Sequence, residues 1–485
     1  MRSRPDRSHR IQRMTVELKR QLTAIALLSL LSSCSLAPEG WQEGEIEHVV
    51  FQGTAEPLEV PRSLSSVGWD WEAPEETGIV NVRPFPLGVV VTVSDGIVAL
   101  RGDTGEELWR YRRVGEAVTD ANVTTSGERV ALAYPVEEDT DAALVPHDVV
   151  LFDSATGEEL SSHVEDFTAE ARIPGNIRTL SPMPEHLGLL SDSSRIVYRD
   201  MDDGGDGVFS HDLETGDESW SITDFREEGQ EGRNFHPKGV VASGDTLILS
   251  GNFMDEDIDS LDEVTKEQEH TVVLLGLDSA SGEELWRHEV DRNAPVDLHP
   301  FDLGVEQVSG SVVTEGVGEW ILEPATGEHL TDERFFSDRE GNVIGVLEDT
   351  VVNEIQQADG DELEYEYIDF SGDTRKTIRV SAPLERRWRA FDLPLEEAIV
   401  WLDVNRTEYS RDPEESVWGE ARLVVDEENE SRVIDLGIRV ERDYKEDGSP
   451  SGPFTDPADM TVAPGALVVK EEVPGGARRL VGVVP

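Results

Sequence analysis

The hydrophobic pattern of this chain is one of short apolar runs cut by tight turns. Val89-Val90-Val91-Thr92-Val93 is β-branched and flat, Ser94-Asp95-Gly96 interrupts it, and Ile97-Val98-Ala99-Leu100 resumes it. β-Branched runs separated by Asp-Gly predict strand, turn, strand. A polar phrase then closes the unit and Leu-Trp opens the next strand. The phrase returns with variations: Gly102-Asp103-Thr104-Gly105-Glu106-Glu107-Leu108-Trp109, Asp153-Ser154-Ala155-Thr156-Gly157-Glu158-Glu159-Leu160, Asp212-Leu213-Glu214-Thr215-Gly216-Asp217-Glu218-Ser219-Trp220, Asp278-Ser279-Ala280-Ser281-Gly282-Glu283-Glu284-Leu285-Trp286 and Glu323-Pro324-Ala325-Thr326-Gly327-Glu328-His329-Leu330. Each is read as a turn. Its Gly supplies a residue that tolerates positive φ, and its Asp, assigned to Asp103, Asp153, Asp212 and Asp278, is expected to accept backbone N–H bonds within the loop. Trp109, Trp220 and Trp286 recur four residues after the Gly, which implies a recurring packing slot. Ser161 and Thr331 stand there in the other two copies.

The turn glycines at 105, 157, 216, 282 and 327 are spaced by 52, 59, 66 and 45 residues. A four-stranded propeller blade takes about 40–50 residues, so the longer intervals predict inserted loops, over 134–148, 200–207, 226–237 and 254–270, clustered on one ring face. Weaker units follow around Tyr365–Thr374, Arg422–Ile434 and Ala466–Val484. The expected fold is all-β, a propeller of eight four-stranded blades with seven as the alternative. The last unit looks one strand short, and Glu47-His48-Val49-Val50-Phe51 is the N-terminal segment expected to close the ring, because an open propeller leaves long unpaired edges.

The strand-turn-strand followed by Asp-x-x-Thr-Gly-x-x-x-Trp resembles the repeat of the PQQ-type β-propeller superfamily, which includes quinoprotein alcohol dehydrogenases and BamB-like outer-membrane assembly lipoproteins. The resemblance is carried by motifs from about residue 78 to 335 and by spacing and strand pattern beyond. It implies a ring with a central channel and, for the dehydrogenase branch, a quinone held beside calcium, commonly next to a ring formed by two adjacent cysteines. One Cys in 485 residues excludes that pair. Fold alone carries no cofactor, and neither PQQ nor calcium is expected. Asp255-Glu256-Asp257-Ile258-Asp259 alternates carboxylates, but Ser260 and Lys266 stand where a calcium loop needs Gly and Glu. The segment 200–207 matches no such loop either.

The lone Cys has a different context. Lys19-Arg20 precedes a ten-residue apolar run, Leu22 to Leu31, and then Ser32-Ser33-Cys34. Ten residues are too few to span a bilayer but suit a secretory signal core. Leu-Ser-Ser-Cys resembles a bacterial lipobox. The expected organisation is a signal peptide over 1–33, lipidated Cys34 with a tether to residue 44, and a propeller over 45–485. Met14 gives a more usual signal length than Met1. Two or three acyl chains at Cys34 would hold the domain stably to a membrane outside the cytoplasm.

Charge narrows the partners. The chain has 102 acidic against 42 basic side chains, a net charge of −60; residues 1–33 hold seven basic and two acidic ones, which puts the mature chain at −65. Such a surface repels nucleic acid and anionic headgroups, so the lipid must supply membrane contact. No His-x-His or His-Glu-x-x-His spacing, no Gly-x-Ser-x-Gly elbow and no Gly-x-x-x-x-Gly-Lys-Ser/Thr loop is present. His211 and His236 read as ordinary strand or loop residues. No catalytic or metal-ligating residue is expected. The reading is a monomeric, lipid-anchored, non-catalytic module that binds another envelope or secreted protein. One rival is a BamB-like assembly factor in a diderm host. The other is a quinone-, sugar- or metal-binding enzyme or sensor using the channel.

Overall fold

A computed structural model describes residues 45–136, 144–168, 189–201, 205–222, 233–255, 270–292, 305–308, 311–314, 320–331, 341–347, 349–356, 362–381, 392–405, 417–442, 460–471 and 476–485. The chain divides into two units, 1–45 and Ile46–Pro485, and the account below concerns the second. Residues 1–44, which include the expected signal peptide, Cys34 and tether, lie outside the described residues.

All regular structure among the described residues is strand. β1 (Ile46–Val49) and β2 (Ser66–Glu72) precede the meanders. Sheet 1 follows with β3 (Ile79–Phe85), β4 (Gly88–Val93), β5 (Gly96–Arg101) and β6 (Glu107–Arg113). Sheet 2 holds β7 (Asp120–Val123), β8 (Arg129–Pro135), β9 (Leu144–Asp153) and β10 (Glu159–Thr168). Sheet 3 holds β11 (Leu189–Leu190), β12 (Ser194–Met201), β13 (Gly205–Asp212) and β14 (Glu218–Ile222); sheet 4 holds β15 (Arg233–Ser243), β16 (Thr246–Asp255), β17 (His270–Asp278) and β18 (Glu284–Arg292). Sheet 5 contains β19 (Val305–Val308), β20 (Ser311–Thr314) and β21 (Trp320–Leu322), and sheet 6 contains β22 (Asn342–Leu347), β23 (Thr350–Gln356), β24 (Glu362–Asp369) and β25 (Thr374–Ser381). Sheet 7 is built from β26 (Leu393–Pro394), β27 (Ile399–Asn405), β28 (Val417–Asp426) and β29 (Ser431–Arg442), and sheet 8 from β30 (Met460–Ala463), β31 (Ala466–Lys470), β32 (Arg479–Val484) and the early strand β2. Every pairing is antiparallel and, apart from β1 on β6 and β2 on β32, joins neighbours in the meander.

The central strands are apolar at consecutive positions because both faces of each sheet are buried. Side chains alternate across a strand. Val89, Val91 and Val93 of β4 therefore join a cluster with Ala466, Val468 and Leu480 of sheet 8, while Val90 joins Leu132 and Phe152 of sheet 2. Similar clusters span sheets 2 and 3, 3 and 4, 4 and 5, 5 and 6, 6 and 7, and 7 and 8. The last sheet thus packs back on the first, which is the closed architecture of a β-propeller.

Closure differs from the sequence expectation. β2, not residues 47–51, completes sheet 8: Trp71 pairs with Leu480 and Ser66 with Val484. β1 instead adds a fifth strand to sheet 1, with Ile46 opposite Arg113 and Val49 opposite Arg110. The apolar pattern marks both segments as strands, but edge pairing is decided by partners distant in sequence. Here Glu47 matches two arginines of β6.

Candidate functional site

Alternation of strand direction sends the connections between first and second strands, and between third and fourth, to one face of the ring. The remaining connections emerge on the other. The five repeated phrases lie on the first, or turn, face. Each phrase is closed by a backbone bond from the Gly N–H to the carbonyl four residues earlier, at 2.8 Å in all five copies. The glycines have φ of 69, 71, 75, 72 and 68° at 105, 157, 216, 282 and 327, the left-handed region where a side chain is strained.

The acidic positions divide. Asp153 Oδ1 accepts from the N–H and the hydroxyl of Thr156, both at 2.8 Å, and Asp278 Oδ1 accepts from Ser281 N–H at 2.8 Å and Oγ at 2.7 Å. Asp212 Oδ1 accepts from the N–H groups of Glu214 and Thr215. Asp103 does not share this role. The corresponding position in the first phrase is Arg101, and Asp103, two residers nearer the Gly, pairs with its guanidinium at 2.7 Å.

The tryptophans reach across the seams between sheets. Trp109 Nε1 donates to Ser154 O at 2.7 Å in the next sheet's turn, and a Cβ on Gly157 would lie 2.6 Å from its ring. Trp220 does the same at Ser279 O and Gly282, and Trp286 at Pro324 O and Gly327. Trp69 on the closing strand completes the series, donating to Gly102 O at 2.6 Å beneath Gly105. It lies in no repeated phrase, because the strand that carries it belongs to the last sheet. A β-bulge precedes the slot, and the residue opposite it is small: Ala99, Ser210, Gly276 or Gly482.

The second sheet reverses the sizes, with Ser161 opposite Leu151. His163 covers Gly216 in place of a Trp. Behind it, Glu165 receives both Arg195 Nε, at 3.0 Å, and Arg195 Nη2, and His211 Nδ1 donates to Glu165 Oε1 at 2.8 Å. Burial opposes ionisation of Glu165, but His163, His211 and the Arg195 charge outweigh it and hold the carboxyl below its ordinary range. The Arg195 guanidinium lies 4.5 Å from the Phe167 ring centre, and His147 stacks on the same ring with centroids 4.4 Å apart. His211, read from the sequence as an ordinary residue, is part of a buried charged seam. Among the described residues no set of three or more His, Cys, Asp or Glu is arranged to hold a metal ion.

The turn face is further covered by the chain itself. Between β1 and β2, Phe51 N–H donates to Thr156 O of sheet 2, Leu58 N–H to Pro86 O of sheet 1, and Gly465 N–H of sheet 8 donates to Glu59 O. Arg62 then pairs with Glu396 and Glu397 of sheet 7, and Leu64 is fully buried between sheets 7 and 8. On the same face Asp192 accepts from Ser126 N–H at 2.8 Å and Thr125 Oγ1 at 3.1 Å, and the same hydroxyl lies 3.1 Å from Gly244 O. First turns of sheets 2, 3 and 4 are thereby joined.

The strand ends that flank residues 169–188, 223–232, 256–269, 293–304, 382–391, 406–416 and 443–459 point to the opposite face, and those residues themselves lie outside the described ones. Of the expected insertions, 137–143, 202–204, 226–232 and 256–269 lie outside the described residues, as does most of the Asp255–Lys266 stretch. Their flanks are not loop. Met201 pairs with Gly205 and Arg233 with Asp255, so backbone pairing carries the hairpins outward as strand.

A family model described as "Outer membrane protein assembly factor BamB" matches residues 62–252, within the β-propeller. Among solved structures it is similar to BamB from Moraxella catarrhalis, at 13% identity and a TM-score of 0.33, covering 84% of this chain and 97% of that one. It is also similar to the quinohemoprotein alcohol dehydrogenase from Comamonas testosteroni, at 10% identity and a TM-score of 0.38, covering 89% and 78%. The β-propeller domain of the trilobed protease from Pyrococcus furiosus shares 10% identity at a TM-score of 0.35, covering 74% and 97%. No curated protein sequence matches.

Proposed function

We propose that this protein is a lipid-anchored, extracytoplasmic, non-catalytic binding or scaffolding module, and that the face bearing the long connections meets its protein partner. The supporting observation is the asymmetry of the ring. Residues 51–64 and the joined turns occupy the opposite face, while binding residues concentrate on loops set on a rigid scaffold. Lipid on Cys34 would bring a strongly acidic domain to a membrane that its charge alone would avoid.

Photo-crosslinking side chains at Glu116, between β6 and β7, and at Glu214, in the turn after β13, report on the two faces separately. Partner adducts from position 116 and not from 214 are expected; the reverse pattern overturns the assignment. Cys34→Ser is expected to release the protein from membranes.

A second reading is favoured by the family match over 62–252: a BamB-like role in outer-membrane protein assembly. Loss of β-barrel proteins from the outer membrane on deletion would support it, and unchanged levels would remove it. Stoichiometric metal or quinone in the purified domain would instead favour a channel enzyme or sensor.

A further inference from the structure

Four strands complete sheet 1, and β2 on β32 completes the ring, so β1 is surplus to the repeat. It pairs with β6 alone, and Ile46 and Val49 are 54% and 43% exposed. Its attachment is nevertheless chemically specific. Glu47 is buried, with Arg110 Nε at 2.7 Å and Arg112 Nη1 at 3.1 Å. Arg112 also forms a two-point pair with Asp95, at 2.9 and 2.8 Å. The edge of β6 therefore presents two guanidinium groups to whatever strand lies beside it, and Glu47 bridges them. His48 Nε2 adds a bond to Gly157 O at 2.7 Å, in the manner of His288 on Gly327 O in sheet 4. Residues 52–54 beyond it are exposed.

We propose that the β6 edge is a strand-addition site which β1 occupies in cis, and that an extended segment of a partner protein, bearing a carboxylate where Glu47 stands, takes its place. In strand addition the backbone ladder supplies affinity and side-chain pockets supply selectivity. Here the selectivity is charge: a segment without the carboxylate leaves Glu107 as the carboxylate beside the partly exposed Arg110 and Asp95 as the one opposite the buried Arg112, with two cations for the edge and none of its own charge to match them, and is disfavoured. The net charge of −60 opposes a second copy of this chain as the occupant. At physiological salt that repulsion is screened over about 8 Å, so the two arginines dominate for a short partner segment.

The test uses the full mature chain and a fluorescent, end-capped peptide with the sequence of residues 46–51. Glu47→Lys sets a third positive charge against Arg110 and Arg112 and displaces β1 without altering β6. The peptide is expected to bind this variant on the order of tenfold more tightly than the wild type, whose edge is filled. The same peptide with Lys in place of its Glu is expected to bind neither. Val49→Pro, which breaks the β1 ladder without adding charge, must give the same gain, and it serves if Glu47→Lys does not fold. Equal binding to wild type and variants, binding of both peptides alike, or no binding to either variant overturns the proposal. Those outcomes leave the crosslinking result at Glu116 untouched, so this site and the long-connection face stand or fall separately.

Discussion

The seam between sheets 1 and 2 and the seam between sheets 2 and 3 occupy equivalent places in the ring and are held by opposite chemistry. In the first, Trp109 is 1% exposed, lies over Gly157 and donates to Ser154 O. In the second, Ser161 stands in the tryptophan position, His163 covers Gly216, and Glu165, Arg195 and His211 form a buried charged cluster. An aromatic slab gains from area and one neutral hydrogen bond. A buried ion pair gains much less over an apolar filling, but its partners cannot be removed singly without leaving a charge in the interior. The repeat thus tolerates a change of filling where size and charge are compensated across the seam.

Removal of the slab should have the largest effect. Trp109→Ala is expected to cost ~3–5 kcal/mol in chemical denaturation, as large-to-small changes in a close-packed site do. Trp220, which is only half-buried, should fall at or below the lower end. Equal costs at the two positions would show that the hydrogen bond, not burial, holds these seams.

The charged seam should respond to acid where the aromatic seam does not. Glu165 has its folded value lowered, so the unfolded chain binds more protons through this range. The stabilisation is present above the ordinary carboxylate value of about 4.3 and disappears as pH falls through the lower folded value. Glu165→Gln should cost ~2–3 kcal/mol at neutral pH, with the gap to wild type closing as the solution is acidified below about pH 4. Melting curves of both proteins from pH 7 to 3 check this. A gap that stays constant would mean that packing of the Glu165 stem, and not its charge, carries the effect.

Exchange of one filling for the other gives a smaller change. Ser161→Trp is expected to destabilise by ~1–3 kcal/mol, because Leu151 fills the space that Ala99, Ser210, Gly276 and Gly482 leave open opposite the other tryptophans. Adding Leu151→Ala should produce a double variant that loses less than the two single changes together, read from a double-mutant cycle. Strict additivity would break the size-compensation account.

The two seams also differ in how far the amino-acid sequence discloses them. The Trp four residues after each turn Gly announces its slot, because turn and slot are local to one another. Glu165, Arg195 and His211 lie on β10, β12 and β13, and no spacing along the chain signals that they meet. Trp69 is hidden for a related reason: its strand joins β32, at the far end of the sequence, and pairing at that range leaves no local pattern. The sixth and later units keep an alternation that marks strands, but only the structure assigns Lys376 to the position after the β25 bulge, with its ammonium over Tyr367.

The finest distinction lies within the phrases themselves. Asp278 and Asp103 look alike in the sequence, each an acid just ahead of a turn Gly. Asp278 accepts two bonds that hold its turn, whereas Asp103 sits two positions later and pairs with the side chain of Arg101. Asp278→Ala is therefore expected to cost ~0.5–1.5 kcal/mol, the usual net worth of such hydrogen bonds. Asp103→Ala should stay within about 0.5 kcal/mol, as a surface ion pair does. Denaturation midpoints of the two variants decide the matter. If Asp103→Ala costs as much as Asp278→Ala, the first turn is held through its acid after all, and Arg101 has taken over only the backbone part of the role, its carbonyl already accepting from Gly105 N–H at 2.8 Å.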